Sequence, residues 1–581
     1  MKPTVSRLVA VTLWSFAAFD TAVVHGQAAD PLVAGFQNPP ASAKPRVWWH
    51  WMDGNVSREG IREDLQWLND VGVGGVHNFD AALAGVGRDT PRLVDQRVAY
   101  LTPLWRDMFR YAVTEARQRG MEFTIAASPG WSESGGPWVT PKQGMKKLVW
   151  SETMIQGGKR FSGQLAHPPQ VTGPFQNVPF TIVPFAVDEQ HPQYYSDVAV
   201  IAFRAPTASY TDADLTPTIT SSSGAIDAAR LSDGDLAEAV SVPYGDGDTS
   251  WIQFSYPKPR RIQALTVSVA RPSGLAPSDI ATGGAVWLEA AEDGQSFHRV
   301  ADVPRDGAPQ QTIAFAPVTA KVFRLVLERP KQTGGGLEAL LGLPGPPPPT
   351  SHRIFECVLH AGARVNRFED KAGFSNRAIR SDEDTRAIDQ MEAITKDAVI
   401  DLTSKLKPDG TLDWTAPKGS WIVVRYGYSL TGRTNHPASR EGTGLEVDKL
   451  NKEHVKAYFD AYFAEYEKTL GPGLIGKQGL QYMLTDSYEA GIANWTDDVL
   501  AQFQQRRGYD PHPWLPVLAG HVVQDSAASD RFLWDFRQTL ADLIADAHYG
   551  QLSASLHEHG MGRYGESHES GRAFVGDGMK V

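Results

Sequence analysis

The stretch from Arg46 to Ala127 alternates strand and helix, and this alternation narrows the fold more than any other feature of the chain. Arg46-Val47-Trp48-Trp49-His50-Trp51-Met52-Asp53 has a strand pattern that ends in the turn signal Asp53-Gly54-Asn55. Ser57 is placed to cap the next helix and Glu59 lies in its first turn, where the helix dipole favours an acid. Ile61, Leu65 and Leu68 then recur at helical spacing before Gly72. Gly74-Gly75-Val76-His77-Asn78-Phe79-Asp80 reads as a second strand. Thr102-Pro103 opens a second helix, with Leu104, Met108, Ala112 and Ala116 on one face and Gly120 at its end. Glu122-Phe123-Thr124-Ile125-Ala126-Ala127 is the third strand and leads into Ser128-Pro129-Gly130-Trp131. Such a series opens either a (β/α) barrel or a doubly wound sheet. Aromatic and histidine residues at successive strand ends favour the TIM-type barrel, whose functional groups gather at the carboxyl ends of the strands. Trp48, His50, Trp51, Asp53, His77, Asn78, Asp80 and Trp131 are therefore expected to line one pocket, although each taken singly is an ordinary strand residue.

The pattern returns in the last third. Ser429 to Asp448 is a long polar loop carrying Arg433, His436, Arg440, Glu441, Glu446 and Asp448. It reads equally as a solvated lid or as part of a sugar pocket. A helix follows with Val455, Tyr458, Phe459, Tyr462, Phe463 and Tyr466 on one face. Tyr482-Met483-Leu484-Thr485-Asp486-Ser487-Tyr488-Glu489 is an apolar strand that ends in two acids three residues apart. Gly560 to Glu569 repeats the motif with Glu566 and Glu569. Counting strands near 47, 75, 123, 423, 482 and 562 gives six, against the eight of a closed barrel. This count predicts an incomplete barrel and a chain that is a piece of a longer product.

Between the two halves the helical period disappears. Residues 148–209 read as a β-rich linking unit and 210–333 as a β-sandwich, with strand patterns such as Trp251-Ile252-Gln253-Phe254 and Phe323-Arg324-Leu325-Val326-Leu327. That order resembles the galactose-binding-like jelly roll, a module that serves either as a sugar binder or as a scaffold. Residues 334–420, which contain Gly334-Gly335-Gly336 and Pro346-Pro347-Pro348-Pro349, read as a hinge and small β unit. The barrel is then expected over 30–147 and 421–581. The run at 421–428 also fits the small β unit, because periodicity does not separate the two assignments.

Composition excludes several classes. Lys plus Arg is 56 against 67 Asp plus Glu, a net charge of −11, which argues against nucleic-acid or anionic-membrane partners. Cys357 is the single cysteine, so neither a disulfide framework nor a thiolate metal site is available, and its setting reads as a packed strand residue. Residues 1–29 resemble a secretory signal: Lys2 and Arg7, an apolar stretch from Leu8 to Phe19, then small residues around Ala28. No later run has the length of a membrane helix. An exported protein, periplasmic or extracellular, is expected.

Taken together, Trp48-Trp49-His50-Trp51-Met52-Asp53-Gly54-Asn55, Gly74-Gly75-Val76, Gly444-Leu445-Glu446-Val447-Asp448-Lys449-Leu450, Asp486-Ser487-Tyr488-Glu489 and Gly565-Glu566-Ser567-His568 resemble the α-L-rhamnosidases of glycoside hydrolase family 106. The resemblance implies calcium-assisted, inverting hydrolysis of terminal α-L-rhamnosyl linkages in a carbohydrate substrate. Inversion requires a protonated carboxyl for the leaving oxygen and an ionised one to activate water, about 6.5–9.5 Å apart. Glu489 is the expected acid, with Asp486 as its charged neighbour. Glu566 or Glu569 is the expected base, the other being a calcium ligand, unless the base lies on a later strand. We assign Glu566 to catalysis and Glu569 to Ca²⁺. Trp48, His50, Trp51, Asp53, His77, Asn78, Trp131, His436, Arg440 and Asp486 then stand as substrate-binding residues. Two other readings remain: a glycosidase for another sugar, or a non-catalytic carbohydrate-binding protein.

Overall fold

Ser57 accepts a hydrogen bond from the Gly60 amide and starts helix α1 (Arg58–Asp70), which buries Ile61, Leu65 and Leu68. The helix separates strands β1 (Arg46–Met52) and β2 (Gly75–Ala81). Thr102 caps α2 (Pro103–Gln118) in the same way, and β3 (Glu122–Ala126) follows. The face of α2 that packs inward is carried by Trp105 and Phe109 with Met108, Ala112 and Ala116, whereas Leu104 is exposed. This computed structural model describes residues 30–83, 90–180, 191–205, 216–271, 284–330, 349–377 and 379–565. The expected signal segment 1–29 and the residues Glu566 and Glu569 lie outside them. No helix among the described residues is long and apolar enough to cross a membrane.

Between the two halves run β4 (Lys146–Gln156), β5 (Arg160–Gln164), β6 (Tyr195–Arg204), β7 (Thr218–Ser221), β8 (Val240–Pro243), β9 (Thr249–Val269), β10 (Val286–Ala291), β11 (His298–Val303), β12 (Gln311–Glu328), β13 (Ser351–His360), β14 (Ile400–Asp401), β15 (Thr411–Thr415) and β16 (Ser420–Leu430). Helix α3 (Lys452–Leu470) then leads to β17 (Leu480–Thr485). Helices α4 (Val499–Arg507), α5 (Ser526–Leu543) and α6 (Gln551–Glu558) precede β18 (Gly562–Gly565), and a π-helical segment, Ile544–Gly550, joins α5 to α6.

Five strands form one sheet in the order β1-β2-β3-β17-β18, and every neighbouring pair is parallel. The order never reverses, unlike that of a doubly wound sheet. Among the described residues the sheet is open, with β1 and β18 at its edges, so no closed barrel is present. One outer face packs on α1, α2, α3 and α6 through Trp49, Trp51, Val76, Phe123, Ile125 and Met483.

The strand at 421–428, counted in the barrel from its sequence, is not part of this sheet. β16 lies between β6 and β4 in an antiparallel sheet of order β14-β6-β16-β4. Its eleven residues are all buried, because Ile422, Val424, Tyr426 and Tyr428 join one core while Trp421 and Val423 join another. A strand covered on both faces shows the unbroken apolar run typical of a buried parallel strand, and this explains the misassignment.

Strands β7 to β13 form a seven-stranded antiparallel sheet around a core of their own. Its two longest strands, β9 and β12, pair along both halves, with register breaks between Ala314 and Val318 and between Ala320 and Val322. β13 inserts beside β9, so this sheet extends past the boundary expected at residue 333. Cys357 is buried within it, as its setting suggested.

Candidate active site

Side chains of a strand alternate between faces, so the parallel sheet sorts its strand-end residues into two sets. The registers align Trp48 with His77 and Thr124, and align His50 with Phe79. Ala126, Leu484 and Tyr564 continue the level of His50 and Phe79 across the sheet. These residues line the inner face, where Phe79, Ala126 and Leu484 pack with Trp131 and Tyr564. Trp49, Trp51 and Asn78 fall on the opposite parity. Trp51 is buried in the helix layer against Trp105 and Phe109, and the Asn78 amide donates to the Trp49 carbonyl. Trp51 and Asn78 are therefore structural, contrary to the pocket role expected for them.

On the inner face an aromatic group assembles. The His50 ring stacks on Phe79 at 4.8 Å between centroids, while Trp48 and Trp131 each present an edge to it at 5.9 Å. Trp48 is 57% exposed, leaving a broad ring available to a ligand. Burial lowers the His50 pKa, which favours the neutral ring at the carboxyl edge.

His77 lies one level deeper. It packs on Tyr564, whose hydroxyl donates to Glu122, and Glu122 in turn pairs with Arg46. Burial, and then the Arg46 charge, lower the His77 pKa. Its position in this bottom layer separates it from the strand-end group. Asp53 occupies a left-handed turn (φ 51°) and accepts bonds from the Leu83 amide and the Thr90 hydroxyl, so its carboxylate ties these two residues together. Arg440 is exposed at the turn of the loop after β16.

That loop, residues 431–450, brings the antiparallel sheet to the parallel one. The amides of Trp131 and Ser132 donate to the His436 carbonyl at 3.0 and 3.2 Å, and the Ala82 amide donates to the Pro437 carbonyl at 3.2 Å. The buried Asn435 amide group donates to the carbonyls of Pro129 and Gly442. Gly130 has φ 89°, and a Cβ there would lie 2.8 Å from the His436 carbonyl carbon, so glycine is required where the two segments touch.

His436 is thereby fixed at the carboxyl edge. Its Nδ1 lies 2.9 Å from the Thr434 carbonyl, so Nδ1 carries the proton and donates it. Nε2, the other ring nitrogen, faces Glu489 Oε2 at 3.8 Å. Glu489 lies four residues beyond β17 and is 29% exposed at its side chain, within reach of solvent and ligand. Asp486, also expected in the pocket, is buried and accepts from the Ser487 amide at 2.8 Å, turning the chain at the end of β17. The structure thus gathers Trp48, His50 and Trp131 into one group and His436 with Glu489 into another. The backbone bonds between residues 131–132 and His436 link the two.

Beneath this edge lies a buried polar cluster that sequence reasoning did not single out. Glu133 accepts from the Tyr549 hydroxyl at 2.9 Å, and its other oxygen is 3.3 Å from His548 Nδ1. The Ser134 hydroxyl meets His548 Nε2 at 2.8 Å, and Lys449 pairs with Glu446. His548 and Tyr549 project from the π-helical segment, a feature that Trp131-Ser132-Glu133-Ser134 alone does not reveal. Burial pushes the Glu133 carboxyl up to about 8, with Lys449 opposing it. The native state then holds a proton that the unfolded chain releases near the ordinary glutamate value of 4.5, so this group favours folding less as pH rises from 4.5 through 8. Glu133→Gln keeps the shape and cannot ionise. Its melting temperature relative to the parent is expected to climb between pH 5 and pH 8, by a few °C at the upper end. A pH-independent difference would show that Glu133 is buried as the carboxylate.

Calcium finds no obvious seat in this set. Among the described residues, no group of three or more His, Cys, Asp or Glu side chains is arranged to hold a metal ion.

The protein is thus of the α/β class, an open, singly wound parallel sheet with an acid and an aromatic group at its carboxyl edge, where proteins of this kind place ligands. A family model described as alpha-L-rhamnosidase, that of glycoside hydrolase family 106, matches residues 37–581, and the chain belongs to this family. It is also similar to the solved structure of a rhamnosidase from Novosphingobium sp. PP1Y, with 42% identity and a TM-score of 0.79 over 92% of this chain. A curated protein of Formosa agariphila, named "Putative beta-glucuronidase", is 26% identical over 91% of this chain. The chain spans 47% of the solved rhamnosidase and 30% of the curated relative.

Proposed function

We propose that this protein is a glycosidase that releases terminal α-L-rhamnose from glycans or glycosides by inverting hydrolysis, with Glu489 as the proton donor. The observation that carries the reading is the placement of Glu489: it stands at the carboxyl edge of an interior parallel strand, with His436 Nε2 3.8 Å from its Oε2. His436, whose Nδ1 is held by the Thr434 carbonyl, turns Nε2 toward Glu489 Oε2 at 3.8 Å, which places its ring to orient the acid. In the reaction the Glu489 proton passes to the glycosidic oxygen as its bond to the sugar breaks, and water adds to the opposite face of the sugar. Trp48, His50 and Trp131 supply flat surfaces for the pyranose ring, and His436 orients the acid. The general base is proposed at Glu566 or Glu569 or on a later strand. No residue of the described set is assigned to that step.

Membership of the family and the 42% identity to a rhamnosidase support the sugar assignment. The name of the Formosa agariphila relative favours a second reading, the same chemistry on a uronide. A panel of aryl glycosides separates the two: turnover of the α-L-rhamnoside well above the β-D-glucuronide is expected. The reverse order would replace the first reading by the second, and binding without turnover of either would favour a non-catalytic carbohydrate-binding role. We include calcium assistance in the proposal. In the same assay EDTA is expected to lower the rate, and added Ca²⁺ to restore it; a rate indifferent to chelation would remove calcium from the reading.

A further inference from the structure

A polar cleft of about 450 Å³ opens on the antiparallel sheet, between the chain that leaves β5 and the turn before β15. Its floor is Arg425, in the middle of β16. The Arg425 side chain is only 5% exposed, and its Nε and Nη2 donate to the two carboxylate oxygens of Asp197 at 2.7 and 2.8 Å. Nη1 takes part in neither bond, the guanidinium also lies within hydrogen-bond reach of the Tyr195 side chain, and Arg425 is one of the residues that line the cleft. Gly410 sits directly above it with φ 82°, and a Cβ at that position would come within 2.9 Å of Nη1. A side chain at position 410 would therefore press on the guanidinium edge, and glycine leaves that space open.

The walls carry the complementary groups. Gln164 uses its amide nitrogen on the Asp409 carbonyl at 2.8 Å, and Asp409 accepts from the Thr411 amide through Oδ1. Gln164 Oε1 and the remaining acceptor capacity of the Asp409 carboxylate, which also takes the Thr411 side chain, can serve further donors. At the rim the His167 ring packs on Tyr195 at 4.5 Å between centroids, and the Tyr195 hydroxyl donates to Asp197. Donor edge, two acceptors and an aromatic wall lie within the span of one or two sugar rings, in a volume ordinary for a ligand site. The Asp197 carboxylate already neutralises Arg425, so an uncharged occupant with hydroxyl groups suits the cleft better than an anion. Arg425 lies five residues before the end of β16, about 17 Å from the point where the His436 loop begins.

The geometry points to this cleft as a second binding site for a neutral glycosyl residue, separate from the Glu489 centre and suited to anchoring a longer glycan. The choice of sugar rests on the rhamnosidase reading; the existence of the site does not. The test is affinity electrophoresis of the 581-residue chain through gels that contain a neutral L-rhamnan or, separately, polygalacturonate. The rhamnan is expected to retard the protein. The exposed pair Gln164→Ala with Asp409→Ala is expected to weaken that retardation about tenfold, while turnover of a small aryl α-L-rhamnoside stays unchanged. Glu489→Gln should keep the retardation of the parent. Undiminished retardation of the double variant, absence of retardation of the parent, or retardation by polygalacturonate alone would each overturn the proposal. Retardation lost only in the double variant, from a chain that hydrolyses no rhamnoside, would uphold the cleft and reject the catalytic reading instead.

Discussion

Glu489→Gln is expected to lower turnover of a rhamnoside with an alkyl leaving group by about 10²–10⁴-fold, because the glutamine amide cannot give a proton to the departing oxygen. The same substitution should cost much less on a dinitrophenyl rhamnoside, whose leaving group departs as a stable anion without protonation. This contrast distinguishes a proton donor from a residue that merely holds the sugar, which would affect both substrates alike. Glu489 is partly exposed, so the fold should tolerate the change, and an unaltered melting temperature would confirm it. Equal losses on the two substrates, or near-parental rates on both, would remove Glu489 from the acid role.

The largest effect on stability is expected at Lys146. Its ammonium lies 2.8 Å from Asp448 Oδ2, and both side chains are fully buried. Asp448 also accepts from the Thr496 hydroxyl at 2.7 Å and from the Leu450 amide at 3.1 Å. Burial acts to raise the Asp448 carboxyl, but the Lys146 charge with bonds from His454 and Thr496 holds it below the usual carboxylate range. Lys146→Met removes the compensating charge and leaves the carboxylate in the interior, a change that costs about 3–5 kcal/mol. Adding Asp448→Asn should recover part of the loss. Denaturant unfolding measures both variants, and a cost below about 1 kcal/mol for the single change would mean that water reaches the pair.

The sequence disclosed the parallel sheet well, because β1, α1, β2, α2 and β3 carry caps, helical spacing and turn glycines at the right places. It disclosed the site less well. Trp51 and Asn78 looked equivalent to His50 and His77 as strand-end residues, yet strand parity sends the first two to the helix layer. Applying the two-residue period outward from His50 and from His77 would have found Trp48 and Phe79 and rejected Trp51. No local signal could show that Glu133 and His548, 415 positions apart, meet across the π-helical segment. The assignment of β16 failed because a strand buried on both faces has the same apolar run whichever sheet holds it.

The position of β16 has a consequence for how such enzymes diversify. The loop that holds His436 grows from an antiparallel strand, yet its backbone is tied to residues that follow β2 and β3. Segments inserted into the chain upstream of β16 thus help to set the position of His436 beside the proposed acid. A chimera that exchanged them with a relative's would retune the reaction centre even with every strand of the parallel sheet left untouched.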